Sequence, residues 1–302
     1  MHEGDKMYDL IIVGGGIAGI TAAIYAARKG MDFIIISPEF GGEIANTTFV
    51  ENWPGIKSIS GKDLARSYEE HMKSLNVAVI EDVVTEVTHD EHFHVKTYEN
   101  EYESKTLVWA TGSKFKELGV PGEGELRGKG VTYCSICDGP FYKNKTVAVV
   151  GGGNSGLTSA IYMANIAKKV YLYENTGKIN GDPVLLKNLE SKDNVEIETN
   201  MTIISINGER KVTSITLLDG REIETDGVVI NIGYTPFTEP IKGIVELNRY
   251  GYVEVNWKNM TKLQGLFAAG DVVFNPYKQL VISASDGAKA VLGAYDYLSA
   301  KK

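Results

Sequence analysis

Tyr8-Asp9-Leu10-Ile11-Ile12-Val13-Gly14-Gly15-Gly16-Ile17-Ala18-Gly19 is the stretch on which the fold turns. From Leu10 it runs through unbroken apolar residues into the glycines, the pattern of a strand buried on both faces of a parallel sheet. Gly14, Gly16 and Gly19 then satisfy G-x-G-x-x-G. Ile20 to Lys29 reads as a helix ending at Gly30, and Phe33-Ile34-Ile35-Ile36 as the next strand. Between a strand and a helix, such glycines allow a tight turn, close approach of backbone to a pyrophosphate, and close helix–strand packing. The helix start adds N–H groups and a positive dipole end. The spacing alone is weak evidence; its strand–helix–strand setting makes it a dinucleotide-binding motif.

The same pattern returns later in the chain. Thr146 to Val150 is a strand, Gly151-Gly152-Gly153-Asn154-Ser155-Gly156 fits the glycine spacing again, residues 157 to 167 form a helix, and Val170-Tyr171-Leu172-Tyr173 is the following strand. This internal repeat predicts an α/β chain with two Rossmann-like three-layer dinucleotide-binding domains. Glu174 closes the second fold's second strand, where a carboxylate accepts hydrogen bonds from an adenosine ribose or, more blandly, stands in solvent. The first fold has Ser37 at that strand end, with Glu39 just past it.

Around these cores the chain is punctuated by turn formers. Residues 37 to 55 form a long loop, and loops of that length in compact domains are usually functional. Gly61 to Leu75 has helical spacing, and short strands follow through residue 110. Leu107-Val108-Trp109-Ala110 runs into Thr111-Gly112, a small-residue turn that lets backbone approach a cofactor. Leu118-Gly119-Val120-Pro121-Gly122-Glu123-Gly124, dense in Gly and Pro, reads as a domain boundary. Strands at 195 to 207, 212 to 218 and 228 to 232 lead to Asn231-Ile232-Gly233-Tyr234-Thr235-Pro236. Leu266-Phe267-Ala268-Ala269 then runs into Gly270-Asp271, and a helix from about Gln279 to Leu298 ends the chain. Asp271 is placed to accept hydrogen bonds from cofactor hydroxyls, or to cap that helix.

The only two cysteines of the 302 residues lie in Cys134-Ser135-Ile136-Cys137-Asp138. Thiols two residues apart close a small disulfide loop, and the adjacent acid is a candidate proton donor or acceptor for a leaving thiolate. A structural zinc site would need two further ligands. The candidates are His89, His92 and His94, distant in sequence and without a second cysteine pair, so redox use is the better reading.

Two cysteines are no disulfide framework and fit a reducing cytosol. The 43% hydrophobic and 23% charged content is that of a globular chain, and a net charge of −8 without a basic cluster argues against nucleic acid or anionic membrane as partner. Leu10 to Ala27 lacks charge and so resembles a membrane or signal segment, but the glycines in its middle suit a buried strand and helix better. A soluble cytoplasmic protein is expected.

In this order the pieces resemble the low-molecular-weight thioredoxin reductases, FAD-containing disulfide reductases. The resemblance covers nearly the whole chain. It is carried by Gly14 to Gly19, Val50-Glu51-Asn52-Trp53-Pro54-Gly55, Ala110-Thr111-Gly112, Cys134-x-x-Cys137-Asp138-Gly139, Gly151-Gly152-Gly153-Asn154, and Ala268-Ala269-Gly270-Asp271. It implies a discontinuous FAD-binding domain, 1–114 and 246–302, with an NAD(P)-type domain, 115–245, inserted in it and carrying the cysteine pair. It implies that Gly14, Gly16, Ile17, Ala18, Gly19, Glu39, Gly41, Gly42, Glu43, Asn52, Thr111, Gly112, Gly270, Asp271, Gln279 and Leu280 hold FAD. Gly151, Gly153, Asn154 and Glu174 would face the nicotinamide nucleotide. By the same resemblance Cys137 faces the flavin, Cys134 attacks a thioredoxin-like partner's disulfide, and Asp138 moves protons. The inserted domain rotates between two orientations in that family, and a homodimer is its usual state.

Several departures bear on the electron donor and the partner. NADPH-using members carry His-Arg-Arg-Asp-x-Phe-Arg after the second fold, where this chain has Glu174-Asn175-Thr176-Gly177-Lys178-Ile179-Asn180. Without those arginines, bidentate pairing to a 2′-phosphate is lost, and Glu174 would repel the phosphate. NADPH fits poorly and NADH fits; reduced ferredoxin or a deazaflavin is the alternative if the second fold is vestigial. Gly156 stands where Ala is usual, Thr158-Ser159 where a pair of acids is common, and Gly41-Gly42-Glu43 where Gly-Gly-Gln is usual. Pro140 replaces the first of two aromatics, leaving Phe141 and Tyr142 to meet a partner. The expected function is reduction of a thioredoxin-like disulfide through FAD and Cys134/Cys137. The alternatives are reduction of another redox protein such as a peroxiredoxin chain, a non-enzymatic FAD redox sensor, and NADH oxidation at the flavin.

Overall fold

The computed structural model describes residues 6–45, 47 and 50–301; Asn46, Thr48 and Phe49 of the expected 37–55 loop lie outside the described residues. The chain divides into two compact units, residues 1–114 with 235–302, and residues 115–234. The return crossing comes earlier than 246. Ile241 is fully buried in the first unit's core beside Val84 and Val87, and Trp109 Nε1 and Thr111 Oγ1 both donate to the Phe237 carbonyl, at 2.8 and 2.7 Å.

In the first unit, parallel strands lie in the order Val79–Ile80, Phe33–Ile36, Met7–Val13, Glu101–Trp109 and Leu266–Ala268. The antiparallel strands Val84–His89 and Phe93–Thr97 extend the sheet from the early residues of Glu101–Trp109. Alternate residues of the apolar run serve opposite faces. Ile11 and Val13 join one buried cluster, Leu10 and Ile12 the other, which is why no polar residue interrupts it. The helices Ile17–Arg28 and Leu280–Ser299 pack closely through Gly287, where a Cβ would stand 2.0 Å from the Ala18 carbonyl oxygen.

The second unit repeats the plan. Its parallel order is Val195–Thr199, Lys169–Glu174, Thr146–Val150, Gly227–Ile230 and Val131–Thr132, with a separate antiparallel sheet of Ile203–Asn207, Ser214–Leu217 and Glu222–Glu224. The fifth strand differs in origin. In the first unit it comes from the chain's C-terminal part and runs into Gly270-Asp271; in the second it precedes the glycine motif and runs into Cys134. The cysteine motif therefore occupies the strand end that Gly270-Asp271 occupies in the first unit.

Both glycine-motif helices start earlier than expected, at Ile17 and Asn154, because Gly16 and Gly153 are extended and the next residues are already helical. The expected strand at 195 to 207 breaks at Asn200, whose φ is 56°. A further helix, Pro183–Glu190, begins at a pair of residues that signals a helix start: the Asp182 side chain accepts from Val184 N, and Pro183 fills the first position.

Candidate active site

The first unit gathers its expected residues at the carboxyl ends of the parallel strands. Gly14 has φ 117°, and a Cβ there would lie 2.3 Å from the Ala110 carbonyl oxygen, so the loop rests directly on the strand end that leads to Thr111-Gly112. Gly41 N donates to Gly15 O at 2.8 Å, and a Cβ on Gly42 would approach Gly16 Cα to 3.3 Å, which folds the Gly41–Glu43 turn against the glycine loop. The side chains of Glu39 and Glu43 are exposed. Asn52 Nδ2 donates to Gln279 Oε1 at 3.2 Å, Leu280 packs against the cluster of Ile17 and Ile44, and a Cβ on Gly270 would meet Ala18 Cβ at 2.9 Å.

Two features leave this cradle open to an anion and a polyol. A Cβ on Gly16 would meet nothing within 4 Å, and the helix Ile17–Arg28 has neither a side-chain cap nor an acid in its first turn. Such a helix start, uncapped among the described residues, suits a phosphate through its leading N–H groups and dipole. Asp271 is half-buried, with its carboxyl pushed up by burial and partly restored by the Lys278 ammonium and the Ser283 hydroxyl, which donates at 3.2 Å. Asp271 does not cap the last helix; Gln279 occupies the cap position. Lys278, held down by burial, donates to the carbonyls of Asp271 and Val273 at 2.8 and 3.0 Å.

The second unit keeps the same cradle. Gly151 has φ 118° and rests on Asn231 as Gly14 rests on Ala110, while a Cβ on Gly153, like one on Gly16, would meet open space. Gly156 is explained by packing, since a Cβ would fall 1.8 Å from the Gly151 carbonyl oxygen. Asn154 Oδ1 accepts from Asp182 N at 2.7 Å, and Asn180 N and Gly181 N donate to Gly152 O. Glu174 is not a solvated charge. It is 9% exposed; one oxygen accepts from Gly152 N at 2.5 Å and the other from Thr176 N and Oγ1 at 3.0 and 2.9 Å. The carboxylate thus clamps the glycine loop to the turn through Thr176.

Cys134 and Cys137 form a disulfide at the end of the strand Val131–Thr132. Cys134 caps the short helix Ser135–Asp138, its sulfur accepting from Cys137 N at 3.2 Å. Cys137 and Ile136 are exposed, Asp138 is half-buried, and the Asp138 carboxyl is pushed up by burial against the opposing pull of the Thr132 hydroxyl. Ser135 Oγ and Ser159 Oγ are 2.8 Å apart, tying the motif to the glycine-motif helix Asn154–Ala164. Phe141 is exposed, whereas Tyr142 is buried with its hydroxyl donating to Gly130 O at 3.1 Å.

Thr132 and Lys278 carry no motif, and only their neighbourhood to one could have flagged them; Ser135 and Ser159 each stand in a flagged stretch, but their pairing does not show in the sequence. His94 lies between Asp90 and Glu103, at 3.1 and 3.3 Å; among the described residues no group of three or more His, Cys, Asp or Glu is placed to hold a metal. No helix among the described residues is long and apolar enough to cross a membrane.

Residues 8–288 match the family model of the pyridine nucleotide-disulphide oxidoreductases. An alkyl hydroperoxide reductase chain of Pseudomonas aeruginosa is 41% identical over 96% of this chain, and so is the NADH dehydrogenase of Bacillus subtilis. The chain spans 58% of the length of each of these two relatives. The crystal structure of thioredoxin reductase from Streptococcus pyogenes is similar over 97% of this chain and 99% of that one, with a TM-score of 0.91 and 35% identity.

Proposed function

The chain belongs to the pyridine nucleotide-disulphide oxidoreductase family, and from that premise we propose that it is an FAD-dependent reductase passing electrons from NADH through Cys134/Cys137 to a thioredoxin-like protein. The observation that carries this reading is the Cys134–Cys137 disulfide, set at a strand end of a dinucleotide fold with a half-buried acid beside it. FAD, when bound, takes two electrons from a nicotinamide and yields them to a disulfide.

The chain's residues divide the remaining work. The Gly14–Gly19 loop and the start of its helix hold the pyrophosphate. Asp271 accepts from the flavin nucleotide's hydroxyls, and Gly41, Gly42, Asn52, Thr111, Gly112, Gln279 and Leu280 line the rest; Glu39 and Glu43 stand at the rim. Gly151, Gly153 and Asn154 form the nicotinamide nucleotide's phosphate cradle, and Glu174 turns away a 2′-phosphate while accepting a ribose hydroxyl. NADPH is disfavoured for that reason. Cys137 faces the flavin, Cys134 attacks the partner disulfide, and Asp138 holds or releases the proton each sulfur needs.

The partner is a thioredoxin-like protein or, in view of the relatives called alkyl hydroperoxide reductases, a peroxiredoxin chain. A cytoplasmic homodimer with no nucleic-acid or membrane partner completes the proposal. A second reading, NADH oxidation at the flavin without the disulfide, is favoured by the relative called NADH dehydrogenase.

Anaerobic mixing of the FAD-loaded protein with NADH, NADPH or reduced ferredoxin tests the donor. Bleaching by NADH well ahead of NADPH is expected. Equal bleaching by NADPH, or bleaching by ferredoxin alone, would overturn the assignment of Glu174.

A further inference from the structure

Thr132 belongs to none of the motifs, yet it closes a hydrogen-bonded ring around the disulfide. Its hydroxyl donates to Asp138 Oδ2 and accepts from Cys134 N at 3.1 Å, while Asp138 N donates to Cys134 O at 3.1 Å. The three bonds join the strand end, the first cysteine and the acid, and Thr132 is 4% exposed, so water does not compete for its hydroxyl. We infer that Thr132 is a positioning residue for thiol–disulfide exchange: it occupies one carboxylate oxygen of Asp138 and leaves the other, Oδ1, as the oxygen that moves the proton. The inference rests on the reading of Cys134/Cys137 as the redox pair.

Asp138 takes the proton of the Cys134 thiol, and the Cys134 sulfur bonds to one partner sulfur as the partner's S–S bond breaks. The leaving partner thiolate receives the proton from Asp138. Cys137, deprotonated in turn, then attacks Cys134; the protein's disulfide re-forms and the partner's second thiolate leaves with that proton. The dithiol is oxidised by two electrons, the partner disulfide is reduced by two, and no net proton is consumed.

The titratable groups facing Asp138 are Cys134 and Cys137 on its own segment and Tyr142 beyond it, whose hydroxyl is pushed far up by burial and by the Asp138 charge. Tyr142 therefore stays protonated near neutrality, which leaves Asp138 as the carboxyl beside the thiols. Burial raises the Asp138 carboxyl and the Thr132 bond lowers it. A general base works when deprotonated, so the rate rises with pH through the Asp138 value. Removing the hydroxyl leaves burial unopposed and moves that limb to higher pH.

The test uses the FAD-loaded full chain, reduced with dithiothreitol, freed of reductant, and mixed with oxidised thioredoxin in a single turnover across pH; the thiols transferred are counted. Thr132→Val, close in shape, is expected to slow transfer by roughly ten-fold, part of the 10²–10⁴ a positioned proton-transfer group provides, and to shift the acid limb upward. Thr132→Ser is expected to restore both. A Thr132→Val profile matching the wild type in rate and limb, or a Thr132→Ser variant as impaired as Thr132→Val, would overturn the inference. Failure of the wild-type dithiol to reduce thioredoxin at all would instead overturn the underlying reading, so the two failures are distinct.

Discussion

At the scale of the residue, the glycines of each cradle separate into those that packing requires and those that a ligand requires. Gly156 admits no Cβ, whereas Gly16 is extended and a Cβ there meets nothing within 4 Å. Gly156→Ala is therefore expected to cost about 1–3 kcal/mol of overpacking, only partly offset by the roughly 1 kcal/mol helix preference of Ala over Gly. Gly16→Ala is expected to leave the melting temperature of the FAD-free protein unchanged while abolishing FAD retention. Thermal melts and flavin content of the two variants check this; a destabilised Gly16→Ala protein that still binds FAD would reverse the assignment. Single residues are also where sequence is least informative. Glu174 reads as a ribose acceptor with a solvated charge as the bland alternative; its burial and its clamp on Gly152 N do not show in the sequence, because they depend on the turn through Thr176 that no local pattern encodes.

At the scale of the element, the first unit's C-terminal strand and helix bring Asp271, Lys278 and Ser283 under the glycine-motif helix. Burial holds the Asp271 carboxyl above its ordinary value, the shift opposed by Lys278 and Ser283. A group whose folded value is raised contributes stability fully below its unfolded value, near pH 4, and loses it as pH rises through the folded value. Asp271→Asn is thus expected to stabilise the FAD-free protein relative to wild type at neutral pH but not at pH values below about 4, while weakening FAD binding. Melts at the two pH values check the sign; an equal gain at both would show that charge burial is not the cause. Periodic elements are legible because their cause is local. The runs Leu10–Val13 and Val147–Val150 alternate between two buried faces, and nothing distant is needed to see them. The helix Pro183–Glu190 escapes notice because its eight residues carry little periodicity and its cap pair is the sole signal.

At the scale of the whole molecule, the repeat in sequence corresponds to two units of the same plan, and the fifth strand of each sheet delivers what distinguishes them. One delivers Gly270-Asp271, the other Cys134. That equivalence is hidden in the sequence, since the two strands stand on opposite sides of their glycine motifs. The Asn52–Gln279 bond, joining residues 227 apart in sequence, is hidden for the same reason. If electrons leave through Cys134/Cys137, the dithiol is the sole exit from the flavin to a protein disulfide. Reduction of oxidised thioredoxin by the FAD-loaded protein with NADH under anaerobic conditions, wild type against Cys134→Ser, probes that route. Turnover is expected in the wild type, and flavin bleaching by NADH without thioredoxin reduction in the variant. Thioredoxin reduction persisting in Cys134→Ser at the wild-type rate would contradict the route.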